Sequence, residues 1–244
     1  TYAALCGGGQ LLLPGELSLA HNGVLFLDEL PEFSPHVLDS MRAPLEDRSI
    51  TIARASGSVT YPCNVMLICA MNPCKCGFFP DLGKCRCTPT QIRRYLNRVS
   101  GPFLDRIDIG VEVPRQDLGM MAAEKSIDEG SFPQTEQRNS SAVMRARVME
   151  ARARQEKRFA DESISYNSQM TRRQIEEYCR LSGEEAVFLE KVERQQGISA
   201  RGHGKILKVA RTLADLDGQA EIGRTQLAEA IGFRSFEKKY WGSL

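Results

Sequence analysis

The sequence predicts an α/β fold through about residue 114 and an all-helical fold beyond it. Three observations carry that expectation. Two short apolar runs, Val24-Leu25-Phe26-Leu27 and Val65-Met66-Leu67-Ile68-Cys69-Ala70, each end at polar residues. Runs of that length suit strands buried on both faces of a parallel sheet covered by helices. From residue 142 onward the apolar residues recur at helical spacing behind repeated helix caps.

Composition narrows the class. The 244 residues carry 32 basic and 31 acidic side chains, so whole-molecule charge points to neither nucleic acid nor membrane, and any such surface must be local. No apolar run approaches the roughly 20 residues of a membrane span, and no basic-then-apolar leader opens the chain. The expectation is a soluble, cytoplasmic protein. Thr1-Tyr2-Ala3-Ala4-Leu5 reads like the tail of a helix, as in a piece of a longer chain.

Residues 7–22 hold Gly7-Gly8-Gly9 and Pro14-Gly15, which predicts a hairpin or exposed loop near 11–18. These glycines are no phosphate loop, because G-x-x-x-x-G-K-[ST] occurs nowhere, and Gly202-His203-Gly204-Lys205 lacks its spacing. The first apolar run meets Asp28 and Glu29. Two carboxylates cost too much inside a strand, so they belong where it emerges. The carboxyl ends of strands in open α/β sheets are where ligands bind. A plain acidic turn leading into Pro31 has the same pattern.

Ser34 and Pro35 read as the cap and first residue of a helix whose face is Val37, Leu38, Met41 and Leu45, with Pro44 limiting its regularity. Residues 49–54 and 58–62 alternate around Ala55-Ser56-Gly57 as a β-hairpin, with Arg54 near its tip. The second apolar run ends at Asn72, either an Asn-Pro turn or an amide placed to bond a water or phosphate.

Cys74, Cys76, Cys85 and Cys87 form C-x-C-x8-C-x-C. Two close thiol pairs across a short loop can supply the four ligands of a structural Zn²⁺; the other reading is free thiols in a loop. Cys69 and Cys179 read as packed thiols. Thr88-Pro89-Thr90-Gln91 is a capping box for a helix with Ile92, Tyr95, Leu96 and Val99 on its apolar face. Residues 107–113 alternate with period two, which predicts a third strand. Arg106 stands at its start, able to reach a neighbour's phosphate or to form a surface salt bridge.

Polar residues 115–141 predict a linker, leaving domains at 1–114 and 142–244. Residues 142–159 form a helix with Met144, Val148 and Ala151 on one face and solvated arginines elsewhere. Thr171-Arg172-Arg173-Gln174 and Ser182-Gly183-Glu184-Glu185 are further capping boxes. Ser199 caps a helix with Ile206, Val209, Leu213 and Leu216 as its stripe, and a last helix runs from Arg224 to Ile231. Arg201 falls in the first turn of the Ser199 helix, where backbone N–H groups favour an anion, although an exposed residue fits there equally.

In order and spacing, several of these pieces resemble the magnesium-chelatase-like AAA+ ATPases of the ComM/YifB subgroup. They are Pro14 to His21 (PGELSLAH), Gly23 to Phe33 (GVLFLDELPEF), Pro44-Leu45-Glu46-Asp47 and Ala70-Met71-Asn72-Pro73-Cys74. Ser100 to Asp108 (SGPFLDRID), Ser199-Ala200-Arg201 and Lys208 to Leu216 (KVARTLADL) complete the set. The resemblance implies a partial P-loop NTPase core of three layers with β-hairpin inserts, followed by a helical lid. It implies Asp28 acting on Mg²⁺, Glu29 as the hydrolytic carboxylate and Asn72 as sensor 1 beside the attacking water. It further implies Arg106 as an arginine finger serving the adjacent subunit's ATP, Arg201 as sensor 2 and a homo-oligomer, commonly a hexameric ring. Hairpins near 11–18 and 50–61 resemble pore-lining inserts.

The family's P-loop and its preceding Lon-protease-like domain have no counterpart in these residues. The chain by itself is therefore expected neither to bind ATP tightly nor to hydrolyse it. The resemblance implies a motor on DNA, in branch migration during natural transformation. Two other readings stand beside it: a subunit driving Mg²⁺ into a tetrapyrrole, and a non-enzymatic zinc-stabilised interaction module.

Overall fold

The computed structural model describes residues 1–55, 57–113 and 140–242. The chain forms two compact units, one of Thr1–Ile107 with Glu237–Leu244, the other of Asp108–Phe236. They part at Ile107 rather than near 114, and all but the last two residues of the expected 115–141 linker lie outside the described residues.

The first unit opens with α1 (Tyr2–Cys6), where the Thr1 hydroxyl accepts from Ala4 N–H at 3.3 Å. The Thr1 hydroxyl thus sits over the first described turn of α1. Gly8 and Leu13 form an isolated antiparallel bridge, after which α2 (Glu16–Leu19) is a helical turn rather than the second arm of a hairpin. Gly15 sets the close approach here. A Cβ on it would lie 2.3 Å from the Gly7 nitrogen and 2.5 Å from the Leu5 carbonyl oxygen, backbone that cannot step aside.

Strand β1 (Val24–Leu27) is followed by α3 (Pro35–Ser40), capped by Ser34, and α4 (Arg42–Asp47). The break between these helices at Met41 follows from Pro44, which has no N–H to give the Ser40 carbonyl. Strands β2 (Ser49–Arg54) and β3 (Gly57–Pro62) pair antiparallel as the expected hairpin, and Tyr61 donates its hydroxyl to the Leu12 carbonyl at 2.8 Å. Strand β4 (Met66–Cys69) then lies parallel to β1, with Val24 opposite Met66 and Leu27 opposite Cys69. Helices α5 (Pro89–Leu96) and α6 (Gly101–Leu104) follow.

One face of β1 differs from expectation. Leu25 and Leu27 are buried with Leu17, Leu38, Met41 and Phe103, but Val24 and Phe26 are 55% and 57% exposed. Met66 and Ile68 of β4 are exposed too. Among the described residues the sheet is two strands wide, and nothing there covers its second face. Residues 107–113 are not a strand either. An alternating pattern needs a neighbour to pair with, and here Gly110 N–H instead donates to the Phe233 carbonyl at 2.8 Å.

The second unit is helical among its described residues, with α7 (Ser141–Arg158), α8 (Arg172–Tyr178), α9 (Gly183–Gln196), α10 (Ala200–Leu216) and α11 (Arg224–Gly232). A further helix, α12 (Ser235–Trp241), carried no signal in the sequence reading. The core gathers Phe159, Cys179, Leu189, Ile206, Leu207, Ala210, Leu227 and Ile231. Each large aliphatic side chain buried there contributes about 1.5–3 kcal/mol. The Thr171–Gln174 capping box forms in both directions. At Ser182 only half of the expected box forms: its hydroxyl accepts from Glu185 N–H and donates to the Glu185 carboxylate.

Two expectations for α7 change. Met144 and Val148 are exposed, and the helix buries only Ala151 and Gln155 from its later turns. Its arginines are not all solvated, because Arg158 pairs with the fully buried Asp215. No described helix is long and apolar enough to cross a membrane.

Candidate functional site

The parallel register places both strand ends on one edge. Ala70 N–H donates to the Leu27 carbonyl at 2.9 Å, and Leu30 N–H donates to the Ala70 carbonyl at 3.0 Å, so the two chains stay tied one step past the last strand pair. Asp28 and Glu29 sit in the first of these chains and Asn72 two residues beyond Ala70 in the second. All three are exposed. The edge therefore presents two carboxylates and an amide where a parallel α/β sheet receives ligands.

Local backbone explains how the carboxylates are aimed. Glu29 adopts a left-handed conformation (φ 50°, ψ 47°), which costs a non-glycine residue about 1–2 kcal/mol. Asp28 offsets part of that cost by accepting Glu29 N–H at 2.8 Å on Oδ1. Glu29 then caps the 3-10 turn Leu30–Glu32, with Leu30 and Pro31 buried beneath it. Such strain recurs at functional positions, because packing elsewhere must hold it.

Just past the end of α5, Arg98 clamps the same turn. Arg98 donates to the Glu32 carboxylate at 3.1 Å and to the Glu32 backbone carbonyl at 3.3 Å. Burial first, then the negative charges of Glu32 and Glu29, pushes the Tyr95 phenol above its ordinary range. The helix is thus within electrostatic reach of the carboxylates. Sequence periodicity placed Arg98 off the apolar face but carried no sign of its partner 66 positions away.

Arg106 does not extend outward here. Its guanidinium donates to the Glu46 carboxylate at 2.5 Å and to the Pro102 carbonyl at 3.1 Å, leaving the side chain 14% exposed. The surface salt bridge weighed from sequence is the arrangement present. Arg201 occupies the second position of α10, with Ser199 capping by accepting Gly202 N–H at 3.1 Å. It is exposed on the second unit, whereas Asp28, Glu29, Asn72 and Arg106 all belong to the first.

The four cysteines do converge, with every sulfur within 4.8 Å of the others. Cys74 Sγ lies 3.4 Å from Cys76 Sγ and 3.8 Å from Cys85 Sγ, and the last two are 3.5 Å apart. A tetrahedron with Zn–S bonds of about 2.3 Å has sulfurs about 3.8 Å apart, whereas a disulfide needs about 2.05 Å. The cluster therefore fits a tetrathiolate ion and not a pair of disulfides. Cys74 is fully buried against Ile92, Tyr95 and Leu96. Backbone N–H donation from Phe78 and Arg86 brings the Cys76 thiol down to about 6. For Cys85 the Cys87 N–H acts in the same direction, but desolvation and the neighbouring Cys76 and Cys74 sulfurs prevail and push it up to about 12. Cys179 is buried and raised to about 11 by that burial, a packed thiol as expected; Cys69 is partly buried and raised to about 12 for the same reason.

Sequence reading missed a charged network in the second unit. Asp215 is wholly buried and takes hydrogen bonds from Arg158, from Asn167 at 2.8 Å and an ion pair from Arg211 at 3.2 Å. Arg211 also donates to the Ala220 and Gln219 carbonyls. The i, i+4 spacing of Arg211 and Asp215 in KVARTLADL was the available signal.

Family models extend these observations. The model for magnesium chelatase subunit ChlI matches residues 1–121, and that for the ChlI C-terminal region matches residues 138–234. The competence protein ComM of Haemophilus influenzae is 44% identical over 95% of this chain and 43% of its own length. YifB of Escherichia coli is 43% identical over 98% of this chain and 44% of its own, and YifB of Salmonella typhimurium 41% over the same shares. This chain spans less than half the length of the curated relatives it matches.

Proposed function

Because the chain belongs to the magnesium chelatase subunit ChlI family, whose fold is AAA+, we propose that it is the second half of an ATPase core with its helical lid. The observation that carries this reading is the shared edge, on which one parallel pair of strands presents Asp28, Glu29 and Asn72 together. In the complete cytoplasmic protein, Asp28 would hold Mg²⁺ directly or through water, and the ion would supply positive charge against the developing negative charge of the phosphates. Glu29 orients and polarises the attacking water, and Asn72 bonds that water or the γ-phosphate without adding charge. Arg201 serves the same phosphates from the lid.

Arg106 serves the nucleotide of an adjacent subunit in a homo-oligomeric, hexameric ring. It must leave Glu46 to do so. Glu46 is half exposed, whereas the Arg106 side chain is 14% exposed and also bonds the Pro102 carbonyl, so a phosphate of the neighbour's nucleotide has to replace both contacts. The work proposed for the ring is ATP-driven remodelling of DNA, as in branch migration during natural transformation; the Haemophilus relative is named a competence protein. The four cysteines hold a structural Zn²⁺.

The test uses the full-length protein. Glu29→Gln should lower ATP turnover at least 100-fold while nucleotide affinity stays within a few-fold, since the substitution keeps shape and removes the base. Turnover within threefold of the unaltered protein would remove Glu29 from the mechanism. Binding to branched DNA should weaken steeply between 50 and 200 mM salt, as expected when ~6 phosphates are contacted. Salt-independent indifference to DNA would reject that client.

A further inference from the structure

The four-thiol cluster lies between two parts of the carboxylate edge. Upstream, only Pro73 separates Cys74 from Asn72, so thiol and amide share one short stretch that leaves β4. Downstream, Cys87 adjoins Thr88, whose capping box with Gln91 starts α5. That helix buries Ile92, Tyr95 and Leu96 against Cys74, and the Trp241 indole N–H donates to the Leu96 carbonyl at 3.1 Å to fix its last turn. Just beyond the helix, Arg98 grips Glu32, which closes the turn that Glu29 caps. A continuous path thus leads from Asn72 through the sulfurs, along α5, and back to Glu29.

We infer that Zn²⁺ held by Cys74, Cys76, Cys85 and Cys87 is the anchor that fixes Asn72 relative to Glu29, which makes the four cysteines positioning residues for ATP hydrolysis. This deepens the reading above and rests on the roles given there to Asn72 and Glu29. Within the loop, the backbone turn bonds are all local: Gly77 N–H to Cys74, Asp81 N–H to Phe78, and Lys84 and Cys85 N–H to Asp81. Thiols bond one another weakly, so apposed sulfurs alone do little to hold the segment. Four Zn–S bonds convert metal affinity directly into order of that segment. The consequence for rate is geometric, because displacing a reacting group by about 1 Å can cost about 100-fold.

The experiment uses the full-length protein purified without added zinc. Metal analysis should find one zinc per chain, and Co²⁺ reloading should give the intense visible bands of a tetrahedral thiolate site. Stripping the metal should speed hydrogen exchange at Met71 and Asn72 and through the start of α5, and restore it on reloading with Zn²⁺. Turnover should fall about 10- to 100-fold with KM within about twofold, a split that general loosening of the nucleotide site would not produce. Asn72→Ala should cost at least tenfold with metal present, yet less than about twofold in a Cys85→Ser, Cys87→Ser background, because one displacement already includes the other. Absence of tight metal, unchanged exchange at residues 71–72 on stripping, or fully multiplicative effects of Asn72→Ala would each overturn the inference. Where the double serine variant fails to accumulate, stripping and reloading the unmutated protein makes the same comparison. If the unmutated protein hydrolyses no ATP, the ATPase reading fails by itself, and the exchange data still decide whether the metal holds Asn72.

Discussion

Replacing Asp215 by Asn isolates how much of the lid's stability rests on one buried charge. The carboxylate is fully buried and meets Arg158 through both oxygens, Asn167 at 2.8 Å and Arg211 at 3.2 Å. Arg211 is itself 3% exposed, and its Nε has no partner. Asparagine keeps the shape but leaves two guanidinium groups facing a neutral amide. Removing one partner of a buried ionic cluster costs about 3–5 kcal/mol, because the other charge stays behind uncompensated. At about 3 °C per kcal/mol for a unit of this size, the second unit's melting point should fall by roughly 9–15 °C. Urea-dependent hydrogen exchange of the Ala210 to Ala214 amides reads the opening free energy of the central lid helix. Arg211→Met should cost less, since Asp215 keeps Arg158 and Asn167 and the orphaned Nε disappears. A loss under about 1 kcal/mol for Asp215→Asn would mean that both arginines reach water and that the burial argument is wrong.

Acid should act through the same carboxylate. Burial alone would raise its pKa, but the bonds from Arg158 and Asn167 and the charge of Arg211 outweigh it, so Asp215 titrates below the ordinary aspartate value. A carboxyl depressed on folding contributes in full above the unfolded value of about 4, and that contribution fades as pH falls toward the folded one. The lid's opening free energy, followed by the same amides, should therefore decline below about pH 4, and less steeply in Asp215→Asn. At Gly15, alanine would drive a Cβ into two backbone atoms, so Gly15→Ala should destabilise the first unit by about 1–3 kcal/mol or more in chemical denaturation. Gly183→Ala, at the first position of α9, meets nothing within 4 Å and serves as the neutral comparison in the second unit.

How much of this was legible in the sequence depends on the range of the cause. The carboxyl ends at Asp28 and Asn72, the hairpin around Gly57, and the caps at Ser34, Thr88, Thr171 and Ser199 were all readable. Each depends on a handful of adjacent residues: a run of apolar side chains, a hydroxyl three residues before the N–H it accepts from, a glycine at a tight turn. The cysteine cluster was readable as two close pairs, though only the folded loop brought Cys85 within 3.5 Å of Cys76. Alternation at 107–113 misled, because period two describes a side-chain pattern and cannot supply a neighbouring strand. Tertiary structure alone decided that Arg106 lies against Glu46, that Arg98 holds Glu32, that Arg211 and Asp215 face inward, and that β1 buries one face. Those outcomes join groups brought together by the whole fold or turn on which face it covers, and no local pattern encodes which distant charge or surface a side chain will meet.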